Sequence, residues 1–513
     1  MKIWIVSREY AGIAEAGGVK DVTCSLCETL AKIGQKVTLF IPMYGCTNLA
    51  KVKMSHKISI TEVFVCNKKE QIVYKSGSIG KVKIVFVCHQ SIEEKRAIYT
   101  YTQEDEVLNP AHKYGFGHID ALFVDTIFQK AVAAYKNVCK QTELPDIVHC
   151  QDATCALVPA FINNSIPGAK YLVTIHNAGP GYHHEFESVD QALDYTDLPV
   201  ELLERNINGF KVEPFLIASE YAILTTVSPQ YSWELMNNRT QTQGLGQRFK
   251  ERKLMIYGIT NGIDIKKYDP KCKKFSNLPY TFDPEHGNLS GKFKCRSYFL
   301  ENYAKKEVQF IEGLEKHGFI LEETGKEIYF SYHGRTVQQK GIDILVQSAE
   351  KVLEYQDNVR FVFIGQGEQK YEKILIGLAE KFPGKCVYFR GYNQMMSRLA
   401  LAVSDFFLMP SYFEPCGLED FVSQIYGTIP VAHATGGLKK IIDSQTGFLF
   451  EDNTSDMLTV MMLKLISLKL MKFPQLDFMI PESAKYVRKN YSWENVVKSN
   501  YMWLYKNIAM NKF

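Results

Sequence analysis

Short apolar, β-branched runs alternate with amphipathic stretches along nearly the whole chain. The runs Lys2–Ser7, Lys36–Pro42, Asp146–Cys150, Tyr171–His176, Ile223–Ser228 and Met255–Asn261 predict strands, and helical periods at Val19–Ile33 and Ala121–Tyr135 predict helices between them. Runs apolar on both faces suit a parallel sheet covered by helices on each side. Gln71–Cys88 departs from this and predicts a β-hairpin turning at Ser76-Gly77-Ser78. From Lys266 to about Lys326 the texture turns rich in Lys, Pro, Asn and Asp, predicting a connector with some helix. A second series then predicts strands at Ile328–Tyr332, Val359–Ile364, Cys386–Phe389, Asp405–Met409 and Ile429–Ala432, with a helix at Ile342–Tyr355. Two such series predict an α/β protein of two doubly wound, Rossmann-like domains facing an interdomain cleft. A ligand would sit where the carboxyl ends of both sheets meet.

Composition narrows the function classes. The 513 residues allow more than one domain, and 46% apolar with 23% charged residues excludes a mostly disordered chain or a coiled coil. The net charge of +4 is small for this length, so nucleic acid is a poor candidate partner. Only Ile3–Val6 is apolar before Ser7-Arg8-Glu9 interrupts, too short for a secretory h-region of about 7–15 residues. Met457–Phe473 carries Lys464, Lys469 and Lys472 and reads as a packed helix rather than a membrane span. A cytoplasmic protein without a membrane partner is expected. Cys24 and Cys27 form the single C-x-x-C among 12 cysteines, which leaves a four-ligand zinc site incomplete. Buried free thiols are the expectation, and no metal.

Five constellations carry candidate chemistry. Glu15-Ala16-Gly17-Gly18-Val19-Lys20-Asp21 follows the first strand and opens a helix, where paired glycines let backbone approach a phosphate or sugar. Gly365-Gln366-Gly367 is a weaker version of the same signal. Arg335-Thr336-Val337-Gln338-Gln339-Lys340-Gly341 places two cations on one strand-to-helix loop, able to face one diphosphate, although a basic loop alone is more often solvated surface. Pro410-Ser411-Tyr412-Phe413-Glu414-Pro415-Cys416-Gly417-Leu418 sets a carboxylate before proline and a glycine before a helix; Ala434-Thr435-Gly436-Gly437-Leu438 repeats the design. Thr174-Ile175-His176-Asn177 ends an apolar strand with a histidine, a type more often structural than catalytic when alone.

Taken in order, with Asn261-Gly262-Ile263-Asp264 between them, these pieces resemble the bacterial glycogen and starch synthases, retaining glycosyltransferases of the GT-B fold (glycosyltransferase family 5). The resemblance runs from Ile3 to the terminal helix with Ser492-Trp493-Glu494, and is weak over Lys266–Lys326 apart from Gly291-Lys292 onward. It implies an acceptor domain of starch synthase catalytic type at 1–264, a connector at 265–326, a nucleotide-sugar domain at 327–490, and a helix at 491–513 packing back on the first domain. It also implies a hexosyltransferase moving glucose from ADP-glucose to the non-reducing end of an α-1,4-glucan with retention, using no cofactor. Its partners would be a nucleotide-sugar donor and a glycogen acceptor. By motif match Arg335 and Lys340 would neutralise the leaving diphosphate in place of a metal. Glu414 would meet the donor glucose, His176 would hydrogen-bond it, and Asp152 takes the place of an acidic loop residue. Gly17, Gly18 and Asp21 would line the donor and acceptor cleft; Gly417, Leu418, Thr435, Gly436 and Gly437 would offer backbone N–H groups to the phosphates; and Glu15, Asn261 and Cys416 would also be donor-binding. Tyr392, after Arg390-Gly391, would stack on the base.

The sequence departs from the family at three places. Glu15 stands where members usually have a lysine near the donor phosphates, and a carboxylate about 4 Å from such a charge costs about 4 kcal/mol at an effective dielectric near 20. Glu15 must turn away, be paired, or serve another donor or acceptor; Lys20 is a candidate replacement cation. Glu419-Asp420 stands in place of Thr-Gln, and Gln151-Asp152-Ala153 in place of His-Asp-Trp. The alternatives are a related retaining transferase with a different donor or acceptor, and a glucan-binding pseudoenzyme.

Overall fold

The computed structural model describes residues 1–238, 241–307, 311–322 and 324–511. The chain divides into two units, Met1–Gly262 with Trp493–Phe513, and Ile263–Ser492.

In the first unit the strands are, in chain order, β1 (Lys2–Val6), β2 (Lys36–Pro42), β3 (Lys53–Val65), β4 (Lys68–Ile79), β5 (Val82–Cys88), β6 (Ile147–Gln151), β7 (Lys170–Ile175), the short ribbon β8 (Ile207–Asn208) and β9 (Lys211–Val212), β10 (Ile223–Thr226) and β11 (Tyr257–Gly258). The large sheet has the order β11-β10-β7-β6-β1-β2-β5-β4-β3. It is parallel from β11 to β5, and β4 and β3 add an antiparallel edge. Beneath it Trp4, Phe40, Tyr74 and Tyr135 pack in tilted and edge-to-face pairs with neighbouring centroids 4.8–5.8 Å apart. The chain runs from β1 to β2, out to the far edge at β3, back through β4 to β5, and then crosses to β6 on the other side of β1. The carboxyl ends of β1 and β6 are therefore a topological switch point, where doubly wound sheets open a crevice for ligands.

The hairpin expectation needs correction. β4 passes straight through Ser76-Gly77-Ser78, and the turn falls at Gly80-Lys81, with Ile79 paired to Val82. Gly77 is a mid-strand close approach: a Cβ there would lie 2.7 Å from Val52 Cγ1. The predicted strand Met255–Asn261 shortens to β11 because only Tyr257 and Gly258 pair with β10.

The second unit holds β12 (Leu314–Ile320), β13 (Ile328–His333), β14 (Val359–Gly365), β15 (Lys385–Gly391), β16 (Phe406–Met409), β17 (Ile429–His433) and β18 (Phe448–Phe450). Their order is β12-β15-β14-β13-β16-β17-β18, parallel except for the antiparallel edge strand β12. Helices Ile342–Tyr355 and Ser455–Leu470 pack on one face, over the stacked rings of Phe330, Phe361 and Phe406. Here the switch point lies between β13 and β16, so the loops after those strands are brought together by topology alone.

The segment 265–326 is not a separate connector. Its helix Ser290–Phe299 buries Cys295 and Phe299 in the core on the opposite face, and β12 completes the sheet. Lys292 is buried there, its ammonium donating to the carbonyls of Leu401 (3.0 Å) and Tyr426 (3.2 Å) and to Thr428 Oγ1 (2.6 Å). The chain passes between units at 262/263 and again at 492/493; Ile263 N–H donates to Tyr491 C=O at 2.7 Å. The last segment groups with the first unit through Tyr505, whose hydroxyl lies 2.8 Å from His149 Nδ1. No helix among the described residues is long and apolar enough to cross a membrane.

Candidate active site

At the first switch point the loop after β1 is organised by Glu9, a buried residue that pattern reading missed. One of its oxygens accepts from the N–H groups of Ala16 (3.1 Å) and Gly17 (2.5 Å), and the other from Tyr99 Oη (2.7 Å). Arg8 beside it is also buried, donating to Tyr44 Oη, Ile98 C=O and Asp125. Glu15 turns back on its own loop and caps the Gly12 N–H. Lys20 does likewise, donating to Gly17 C=O at 3.0 Å and lying 3.5 Å from Asp21. Gly18 caps the helix Val19–Lys32, and Asp21 stands in its first turn.

After β6, Asp152 has φ 67° and ψ 178°, a conformation strained for a residue with a Cβ. Its carboxylate accepts the His176 N–H at 3.2 Å. Burial pushes the Asp152 carboxyl up to about 7, opposed by that N–H, by His184 and by the Asn177 N–H, and reinforced by Glu9. His176 ends β7 and donates from Nε2 to Gln151 Oε1 at 2.8 Å. Burial lowers its pKa to about 4, which keeps the ring neutral near pH 7. Asn261 is buried, with Oδ1 lacking a hydrogen-bond partner among the described residues.

The second switch point is charged. Arg335 and Lys340 lie on the loop after β13, and Lys340 Nζ reaches Glu414 on the loop after β16 at 2.5 Å. Ser411 Oγ donates to the same Glu414 oxygen at 3.3 Å. The Arg335 backbone is fixed by Tyr332 Oη donating to its carbonyl at 2.7 Å, and its exposed guanidinium touches Gln339 at 3.4 Å. Gly341 lets these loops meet: φ is +67°, and a Cβ would lie 1.9 Å from Pro410 O.

The loop after β17 joins this group. Gly437 packs so closely on Cys416 that a Cβ would fall 2.1 Å from Cys416 O. Its N–H donates to Glu414 C=O at 2.8 Å, which corrects the expectation that Gly437 offers that N–H to a phosphate. Gly417 (φ +70°), Leu418, Thr435 and Gly436 lie beside it on the same two loops. The added acids at 419 and 420 each have a partner: Glu419 lies 2.6 Å from His333 Nε2, and Asp420 3.0 Å from Lys440 Nζ. Burial pushes Asp420 up to about 6 against the pull of Lys440, with Glu414 adding to the rise. Tyr392 sits on the loop after β15, its side chain exposed. Gly365 and Gly367 serve packing, since Cβ atoms there would meet Gly334 O at 2.0 Å and Thr336 O at 2.7 Å.

Among the described residues one group, Asp283, Glu285 and His286, brings metal-type ligand atoms together. Lys271 already lies 3.4 Å from Glu285 and Arg488 3.6 Å from it, so the local negative charge is matched by side chains.

Residues 2–251 match the starch synthase catalytic domain, and residues 315–480 match glycosyl transferases group 1. A glycogen synthase from Kosmotoga olearia is 31% identical over 89% of this chain and 88% of its own length. One from Thermodesulfovibrio yellowstonii is 28% identical over 99% of this chain and 98% of its own. Among solved structures, the catalytic domain of starch synthase IV from Arabidopsis thaliana, bound to ADP and acarbose, matches with a TM-score of 0.78 at 22% identity, covering 99% of both chains. A sucrose-phosphate synthase from Thermosynechococcus elongatus matches at 0.57 and 16% identity, again over 99% of both.

Two doubly wound sheets with loops converging on each switch point, together with these matches, define a glycosyltransferase of the GT-B fold. The chain belongs to the glycogen and starch synthase family.

Proposed function

We propose that this protein is a cytoplasmic α-1,4-glucan synthase that transfers glucose from ADP-glucose to the non-reducing end of a glycogen-type acceptor, with retention and without a metal or other cofactor. The observation that carries this reading is the second switch point, where Arg335 and Lys340 share one loop and Lys340 meets Glu414 on the next. Charge grows on a diphosphate as its bond to glucose breaks, and fixed cations stabilise it most in the transition state. Glu414, pinned between Lys340 and Ser411, balances that cation and faces the positive charge developing on the sugar. The exposed ring of Tyr392 stacks on the base.

The first unit supplies hydroxyl recognition. A neutral His176 hydrogen-bonds a sugar without adding charge, and Asp152 accepts from an acceptor hydroxyl. The relatives titled glycogen synthase support the glucan as acceptor, and the ADP and acarbose bound to the starch synthase IV relative support the choice of donor.

One observation favours a second reading, a different nucleotide-sugar donor: the loop after β1 carries Glu15 where the family's lysine is expected, and Lys20 is folded onto Gly17. The deciding measurement is ADP and UDP release from ADP-glucose and UDP-glucose, with and without glycogen. Glycogen-dependent ADP release is the expected result; release of UDP alone would transfer the proposal to the second donor. Activity should also persist in EDTA, whereas full loss restored by Mg²⁺ would sink the metal-free mechanism.

A further inference from the structure

Lys440 is in an unusual place for a lysine. Its side chain is 5% exposed, and its ammonium donates to three backbone carbonyls, those of Cys416 (2.5 Å), Gly417 (2.8 Å) and Gly437 (3.1 Å). Its counter-ion is Asp420, whose side chain is fully buried 3.0 Å away, and the ammonium also lies 4.5 Å over the Phe421 ring. Burying an ion pair is costly unless its hydrogen-bonding capacity is used, and a neutral pair would often hold a core as well. Here the ammonium spends its donors on the two loops that flank Glu414, and the Asp420 carboxylate meets it as a counter-ion.

The connections form one chain. Lys440 ties Gly437 to Cys416 and Gly417; the Gly437 N–H holds the Glu414 carbonyl; and the Glu414 carboxylate meets Lys340. Each step is a direct hydrogen bond or ion pair. We infer that Lys440 and Asp420 are a positioning pair for the donor site, fastening the loop after β17 to the loop after β16 so that Glu414 is held against Lys340. The inference rests on the assignment of Lys340 and Glu414 to the donor. It also gives Asp420 a role: the acid at this position is the counter-ion of the lysine that fastens the loops, and not a charge facing the diphosphate.

The test compares Lys440→Met with the neutral-pair variant Asp420→Asn/Lys440→Met, reading thermal stability, kcat, and the KM of donor and of glycogen separately. Lys440→Met is expected to lose stability, to raise donor KM roughly tenfold and to lower kcat roughly tenfold, while glycogen KM stays within about twofold. The double variant removes the orphaned carboxylate and is expected to regain stability but not donor KM or kcat. A purely structural role would restore both together, and wild-type donor KM in either folded variant overturns the inference. If Lys440→Met does not fold, the double variant gives the same reading. Lys340→Ala measured alongside separates the two levels: full activity there removes the donor assignment itself, whereas loss there with wild-type kinetics in the double variant removes only the positioning role.

Discussion

The two units share a topology and differ in what they place at the switch point. In the first, the loops after β1 and β7 engage their polar groups locally: Glu15 caps Gly12, Lys20 folds on Gly17, Arg8 is buried with Asp125, and His176 is neutral. In the second, the loop after β13 carries Arg335 and Lys340, Lys340 meets Glu414 on the loop after β16, and the further acids Glu419 and Asp420 pair with His333 and Lys440. Parallel sheets of the same winding thus carry locally engaged charges on the loops of one unit and a lysine–glutamate pair joining two loops in the other. Topology fixes where the loops converge, and the side chains decide what they hold.

The sharpest way to break this contrast is Lys340→Ala. It should lower turnover by roughly 100-fold or more, on the scale of about 3–4 kcal/mol for a lost transition-state donor, with the thermal transition near that of wild type. Near-wild-type turnover in folded protein would mean that the second switch point does not stabilise the leaving group.

A smaller effect is expected in the first unit, and it is tied to pH. The Asp152 carboxyl, raised to about 7, is protonated below neutrality and ionised above it. If its ionised form accepts the glucan hydroxyl, kcat/KM for glycogen rises through about pH 7, and Asp152→Asn flattens that limb with a loss of roughly tenfold at pH 8. Stability gives a second readout. The folded state holds this proton where the unfolded chain, with its carboxyl near 3.9, has released it, so the contribution of Asp152 to stability falls as pH rises from about 4 to about 7. The melting temperature of Asp152→Asn relative to wild type should therefore climb over that interval. A constant difference would mean that the carboxyl titrates normally.

The same contrast explains what could be read in advance. The strand positions of the second unit and its Arg-x4-Lys-Gly, Glu-Pro-Cys-Gly and Thr-Gly-Gly loops are local patterns, and each strand-loop-helix turn announces itself within a few residues. Partnerships across the sequence do not. Lys440 with Asp420, His333 with Glu419, and Glu9 with Tyr99 depend on which loops the strand order brings together, so Asp420 and Glu419 read as unmatched negative charge. The burial of Lys292 is illegible for a related reason: a lysine counts as polar in any pattern, yet here its ammonium caps carbonyls inside a core. The edge strand β3 was missed because most of its outward positions face solvent, which weakens the apolar alternation that marks a strand.

Glu15 offers the smallest and most discriminating change. Placed near a diphosphate, its carboxylate would oppose the donor, but its side chain is engaged with the N–H of Gly12. Glu15→Gln keeps an oxygen acceptor for that N–H and removes the charge. If the loop has already turned the carboxylate away, donor KM and turnover with ADP-glucose should stay within about threefold of wild type. A donor KM lowered roughly tenfold would instead mean that Glu15 repels the phosphates in the working enzyme, and that this chain accepts a weaker hold on its donor than a cationic loop would give. The first outcome leaves the binding of phosphate to the second unit; the second makes the first loop part of the donor site after all.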